Sequence, residues 1–143
     1  MTVSIILAGK GREVVTIEPN ATLAAAVALL AEKRIGALMI LGADRRVVGI
    51  LSERDIVRAL AERGAAALDE PVSGAMTRKV STAHERETVA SIMERMTAGK
   101  FRHVPVVDQG RLTGIVSIGD VVKHRLGEME RDSAAMRDYI LTA

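Results

Sequence analysis

The apolar positions of this chain change period in one order and then do so again. Val14 to Ile17 reads as a short strand. Thr22 follows, with a hydroxyl able to accept a backbone N–H at a helix start, and Leu23, Val27 and Leu30 recur at helical spacing behind it. The runs Ala37 to Leu41 and Arg46 to Leu51 read as strands around a Gly42-Ala43-Asp44 turn, and a helix from Glu53 to Arg63 closes the unit. The succession then returns. Val80 to Thr82 is a strand, Thr88 a cap, and Val89, Ile92, Met93 and Met96 line a helix that Gly99 ends. Strands His103 to Val107 and Arg111 to Val116 flank Asp108-Gln109-Gly110, and a helix runs from Ile118 to Leu126. Each half reads βαββα, which is an α/β (α+β) plan with helices covering a sheet.

The repetition extends to the residues. Gly49-Ile50-Leu51-Ser52-Glu53-Arg54-Asp55 is matched by Gly114-Ile115-Val116-Ser117-Ile118-Gly119-Asp120, an offset of 65 residues. Upstream, Thr22-Leu23 matches Thr88-Val89, and the lead-in Thr2-Val3-Ser4 resembles Pro71-Val72-Ser73. The expected organisation is one module over 1–143. Repeat 1 spans 2–63, a linker 64–77, repeat 2 with its lead-in 71–126, and a helical tail 127–143. Neither half of roughly 65 residues secures a core alone, so the two sheets are expected to pack with pseudo-two-fold symmetry. In the tail, Val122, Leu126, Met129, Ser133, Met136 and Ile140 alternate spacings of four and three. That is a heptad seam, of a helix packed on its own domain or of one paired across a two-fold axis, and its narrowness favours the second.

Composition narrows the function. No apolar run approaches the ~18 residues of a membrane span, and residues 1–10 lack the basic start of a signal peptide, so the cytoplasm is the simplest location. The chain has no Cys, hence no disulfide, thiolate nucleophile or Cys-bound metal. Its 20 basic and 18 acidic residues give a net charge of +2, a weak footprint for nucleic acid. Phe101 and Tyr139 are the only aromatic residues, too few for a base-stacking platform. His84, His103 and His124 form no ligand pair, so no metal site is indicated. No Walker loop, GxGxxG or nucleophile elbow occurs, and no catalytic residue is assigned.

The duplicated motif has a chemistry of its own. Ser52 and Ser117 stand at a strand-to-helix junction, where free N–H groups and the helix dipole favour phosphate. Asp55 and Asp120 lie one turn on, and a carboxylate there can accept both hydroxyls of a ribose. Gly49 and Gly114 leave room for a ligand to approach the backbone, and Arg54 could donate to a second phosphate. Ser followed three residues later by an acid is equally a capping box, and the two roles are compatible. Where repeat 2 has Arg102, His103 and Pro105, repeat 1 has Gly36, Ala37 and Met39 at the matching positions, so the two clefts differ. Lys10 and Arg12 read as a solvated basic loop within reach of phosphate.

The Gly-Ile-x-Ser-x-x-Asp motif in both halves, with Phe101-Arg102-His103-Val104-Pro105-Val106, resembles the cystathionine-β-synthase (CBS) domain, and the resemblance spans about Thr2 to Leu126. It implies a Bateman module, a non-catalytic homodimeric disc whose clefts bind AMP, ADP, ATP, NAD(H) or S-adenosylmethionine. It further implies that the backbone of Gly36, Ala37 and Leu38, and of His103, Val104 and Pro105, meets the adenine edge. Thr16, Ile17, Thr82 and Ala83 would wall the base. Gly119, where the family often carries Ser, Thr or Asn, removes a ligand side chain, so the second site is expected to be weaker or to accept a bulkier ligand. With no output domain in view, such a sensor acts on a protein partner in trans. The competing expectations are a nucleic-acid-binding protein, prompted by Arg45-Arg46 and Arg78-Lys79, and a structural dimerisation module.

Overall fold

The computed structural model describes residues 1–142. Helix α1 (Val3–Lys10) precedes two similar units. The first is β1 (Thr16–Ile17), α2 (Leu23–Lys33), β2 (Ala37–Leu41), β3 (Val47–Ser52) and α3 (Glu53–Arg63). The second is α4 (Val89–Gly99), β4 (His103–Asp108), β5 (Arg111–Ser117) and α5 (Ile118–Thr142). In the first sheet β1 pairs parallel with β2, and β2 antiparallel with β3. In the second, β4 and β5 form an antiparallel hairpin whose two-residue turn puts Gln109 and Gly110 at positive φ, the geometry a tight hairpin favours.

The expected strand Val80 to Thr82 does not form; a single parallel bridge joins Ala83 to Val106. Pro105 is the reason. In repeat 1 the Met39 N–H donates to Val15, but Pro105, at the matching place, has no N–H to give. Arg95 also diverts the segment, donating to the Ser81 hydroxyl and the Thr82 carbonyl while its other nitrogen holds Glu87.

Helix α2 starts as expected, with Thr22 Oγ1 accepting from the Ala25 N–H, and α4 likewise from Thr88. The end of α4 differs from expectation. Gly99 lies within the last turn of α4, and Lys100 takes the left-handed position, as Arg34 does after α2. Gly99 is needed for space, because a Cβ there would lie 2.2 Å from the Phe101 ring. The tail is not a separate element. Helix α5 runs from Ile118 through Gly127 to Thr142, and only Ala143 of the expected tail lies outside the described residues.

The buried side chains form two clusters, each completed by the lead-in of the other repeat. Leu23, Leu30, Leu38, Ile40 and Leu51 of repeat 1 enclose Ala67 and Val72, from the segment expected to be a linker. Ile92, Val104, Val106 and Val116 of repeat 2 enclose Val3, Ile6 and Leu7 of α1. The backbone repeats the exchange. Val3 N–H donates to Glu87 and Val89 N–H to Met1; Leu23 N–H donates to Glu70 and Val72 N–H to Ala21. The similarity of Thr2-Val3-Ser4 to Pro71-Val72-Ser73 is thus one of structural place, with each segment serving the opposite core.

The hairpins also touch. Arg111 pairs with the Asp44 carboxylate, Arg46 bridges to Arg111, and Arg45 donates to the Leu112 carbonyl.

Candidate functional site

Both Ser/Asp pairs sit where a strand passes directly into a helix. Ser52 ends β3 and caps α3. Asp55 Oδ2 accepts from the Ser52 N–H at 2.9 Å and from its hydroxyl at 3.2 Å, while the Asp55 N–H reaches Ser52 Oγ at 3.4 Å. Repeat 2 reproduces this at Ser117 and Asp120, with 2.9, 3.0 and 3.2 Å. The capping box is therefore formed in both halves, and each consumes one carboxylate oxygen.

The second oxygen sets the repeats apart. Asp55 Oδ1 accepts from the Thr77 hydroxyl at 3.2 Å and has Arg58 at 3.5 Å. Thr77 is locked in place by reciprocal backbone bonds with Ile50, 2.8 and 3.0 Å long, and Asp55 is 5% exposed. The Asp120 side chain is 22% exposed. Its Oδ2 takes a further bond, from Lys10 Nζ at 2.6 Å, and Lys10 also donates to the Ile115 carbonyl at 3.0 Å. No donor among the described residues reaches Asp120 Oδ1. Burial pushes the Asp120 carboxyl up, but Lys10 and the Ser117 donors outweigh it and hold the group below its ordinary value.

The glycines of the motif do a different job from the one expected. A Cβ on Gly49 would lie 2.5 Å from Met76 Sδ, and one on Gly114 2.8 Å from Leu7 Cδ2. They admit the crossed lead-in, which packs where a ligand was expected to approach.

The repeats meet near His103. A Cβ on Gly36 would come within 3.8 Å of Glu53 and 3.9 Å of His103 Cε1. The junctions match across the pseudo-symmetry, with Glu53 N–H donating to Gly36 and Ile118 N–H to Arg102. Burial is the main reason that the His103 imidazole lies below its ordinary value; Lys10 and Arg102 add to the effect and Asp120 and Glu53 oppose it. Gly36, Glu53, Arg102, His103, Lys10 and Asp120 thus share one charged junction.

The remaining expected site residues disperse. Arg54 is exposed. Leu38, Val104 and Ala83 bury their side chains in the two cores, and Ala37 and Pro105 are buried as well, so a ligand could reach only their backbone. Ala37 pairs with Ser52 and His103 with Ser117, which puts these strand starts beside the caps. Thr16 and Ile17 pair with Met39 and Ile40, two and three rungs from Ala37, roughly 7–10 Å along the sheet. They border a groove of about 490 Å³ with Pro19, Gly42 and Arg45 at the far end of the strands. Thr82 is exposed, with its carbonyl held by Arg95. Lys10 and Arg12 are not a solvated loop: Lys10 ends α1 on Asp120, and Arg12 pairs with Glu85 at 2.5 Å. Sequence reasoning missed Glu53, Met76 and Thr77 altogether. Among the described residues no cluster of His, Asp and Glu is placed to hold a metal ion, and no helix is long and apolar enough to cross a membrane.

Known proteins share this arrangement. A solved CBS-domain containing protein from Agrobacterium tumefaciens is 48% identical, with a TM-score of 0.83 over 87% of this chain and 92% of that one. The CBS domain pair of protein MJ0100, solved with 5'-methylthioadenosine and S-adenosyl-L-methionine, is 31% identical, with a TM-score of 0.80 over 90% and 98% of the two chains. A CBS domain protein from Pyrobaculum aerophilum, solved with AMP, is 32% identical, with a TM-score of 0.75 over 84% and 89%. The chain spans 66% and 39% of the lengths of two curated relatives to which it is 38% and 30% identical. The CBS domain family model matches residues 11–62 and 72–127, each ending in the helix that Ser52 or Ser117 caps. With both repeats matched and the pair architecture reproduced, this chain belongs to the CBS domain family.

Proposed function

We propose that the chain is a non-catalytic regulatory module that binds an adenine nucleotide, AMP, ADP, ATP or NAD(H), beside its two Ser/Asp caps. The observation that carries this reading is the pair of strand-to-helix junctions, each joining helix N–H groups, a serine hydroxyl and a carboxylate within one turn. Phosphate suits the first two and a ribose diol the third. The relatives solved with AMP and with S-adenosylmethionine support an adenosine-containing ligand. Repeat 2 is the stronger site, because Asp120 is more exposed than Asp55 and stands beside His103, Arg102 and Lys10. The binding residues remain those expected from the sequence, with Ala37, Leu38, Ala83, Val104 and Pro105 contributing backbone alone.

The module works as a homodimer in the cytoplasm, and a protein partner reads the change in its conformation when nucleotide binds. The dimer reading draws support from α5, where Leu126, Met129, Met136 and Ile140 are all more than half exposed along one seam. Titration of the wild type and of Asp120→Ala with AMP tests the proposal. Loss of the diol acceptor is expected to weaken binding by about tenfold or more. Equal affinity in the two proteins would remove Asp120 from the site.

A further inference from the structure

Resting on that reading, the geometry around Lys10 points to a selection rule for the repeat 2 cleft. We propose that Lys10, delivered from the N-terminal helix, makes this cleft select ligands that carry a phosphate over those with a ribose alone. Lys10 does so by exchanging its partner, from Asp120 to the ligand anion.

Asp120 Oδ2 already accepts from the Ser117 N–H, the Ser117 hydroxyl and Lys10 Nζ. A carboxylate oxygen has two in-plane lone-pair directions, so three donors overfill it. A diol that uses both carboxylate oxygens can take Oδ1 freely but must displace a donor from Oδ2. The Ser117 N–H is fixed by the backbone, and when the Ser117 hydroxyl turns to the ligand, that N–H and Lys10 still fill Oδ2. Lys10 is the mobile one, an ammonium on a flexible stem with its side chain 31% exposed.

An ammonium released inside a junction that also holds His103 and Arg102 needs a new counter-charge. Among the described residues the other acid acting on His103 is Glu53, which comes from repeat 1. A ligand phosphate at the α5 N-terminus supplies that charge, and an uncharged nucleoside does not. Repeat 1 is built differently, because Asp55 Oδ1 is closed by the neutral Thr77 hydroxyl and the nearby cation, Arg58, comes from its own helix at 3.5 Å rather than from the lead-in. Helix α1 is held by Val3, Ile6 and Leu7 in the repeat 2 core, so Lys10 is presented from a fixed base.

Calorimetric titration of the full chain with AMP and with adenosine, on the wild type, Lys10→Met and Lys10→Arg, tests the rule. The wild type is expected to prefer AMP. Lys10→Met is expected to lose about ten- to a hundredfold in AMP affinity, the weight of a charge-assisted hydrogen bond, with adenosine binding unchanged or tighter. Lys10→Arg is expected to restore much of the preference. Equal losses for AMP and adenosine in Lys10→Met would overturn the rule and leave nucleotide binding standing. Failure of the wild type to bind either ligand would instead remove the nucleotide reading, and the selection rule with it.

Discussion

Asp55 and Asp120 occupy the same place in a repeated motif and have different surroundings. The sequence shows the sameness, because a spacing of three after Ser places an acid on a helix cap whatever surrounds it. The difference comes from Thr77 and Lys10, which lie 22 and 110 residues away in the chain and arrive only through the fold. Two pH effects follow at this scale. The Asp120 carboxyl is depressed in the folded state, so its stabilisation is present above the ordinary value of 3.8 and is lost as pH falls below it. Lys10→Met is therefore expected to flatten the fall in Tm between about pH 5 and pH 3, and an unchanged profile would contradict the role given to that pair. The His103 imidazole is also depressed, so the unfolded chain takes up the proton first. Stability is full above the ordinary value of 6.5 and declines as pH falls from there towards the folded value. His103→Gln is expected to reduce the slope of Tm between about pH 7 and pH 5; a slope equal to that of the wild type would refute this.

Among the elements, the most informative is α1. Val3, Ile6 and Leu7 have helical spacing and are 0%, 8% and 1% exposed, yet the helix has a weak start. Thr2 makes no side-chain cap bond and the first turn carries no acid, so the usual start signals are missing. Its stability comes from the repeat 2 core. Leu7→Ala is expected to cost about 2–5 kcal/mol in denaturant unfolding, and a loss under about 1 kcal/mol would show that α1 is peripheral. Most strands and the caps of α2, α3 and α4 were legible, because period and capping chemistry are local. The missing strand at Val80 to Thr82 was legible in principle from Pro105, whose absent N–H breaks the ladder. The tail seam was legible and its surroundings were not. Residues 131–142 of α5 are exposed throughout, and a helix of about this length is marginal in water without a partner. Met129→Glu combined with Met136→Glu is expected to turn a dimer into a monomer in sedimentation equilibrium. A wild type that is already monomeric would contradict the paired seam.

On the scale of the whole molecule, two cores exchange their lead-ins. Val72 and Ala67 complete repeat 1, and α1 completes repeat 2, so neither repeat is a closed unit in its own stretch of chain. The βαββα plan of repeat 1 and its return in repeat 2, apart from the first strand there, were visible from the sequence because the elements repeat in order. The exchange was not, because a lead-in's residue types do not say which of two similar cores it enters. The same exchange brings Met76 and Thr77 against β3 and brings Leu7 and Lys10 against β5. Each cap therefore lies directly against the segment that completes the core of its own repeat. The central claim is that adenine nucleotide binds beside the Ser117/Asp120 cap, and calorimetric titration of the wild type and Asp120→Ala with AMP, ATP, NAD and S-adenosylmethionine tests it most directly. Saturable heat with at least one of these ligands, weakened about tenfold or more by the substitution, is the result this account predicts. No heat with any of the four, from protein free of co-purified nucleotide, would contradict it and leave a structural dimerisation module in its place.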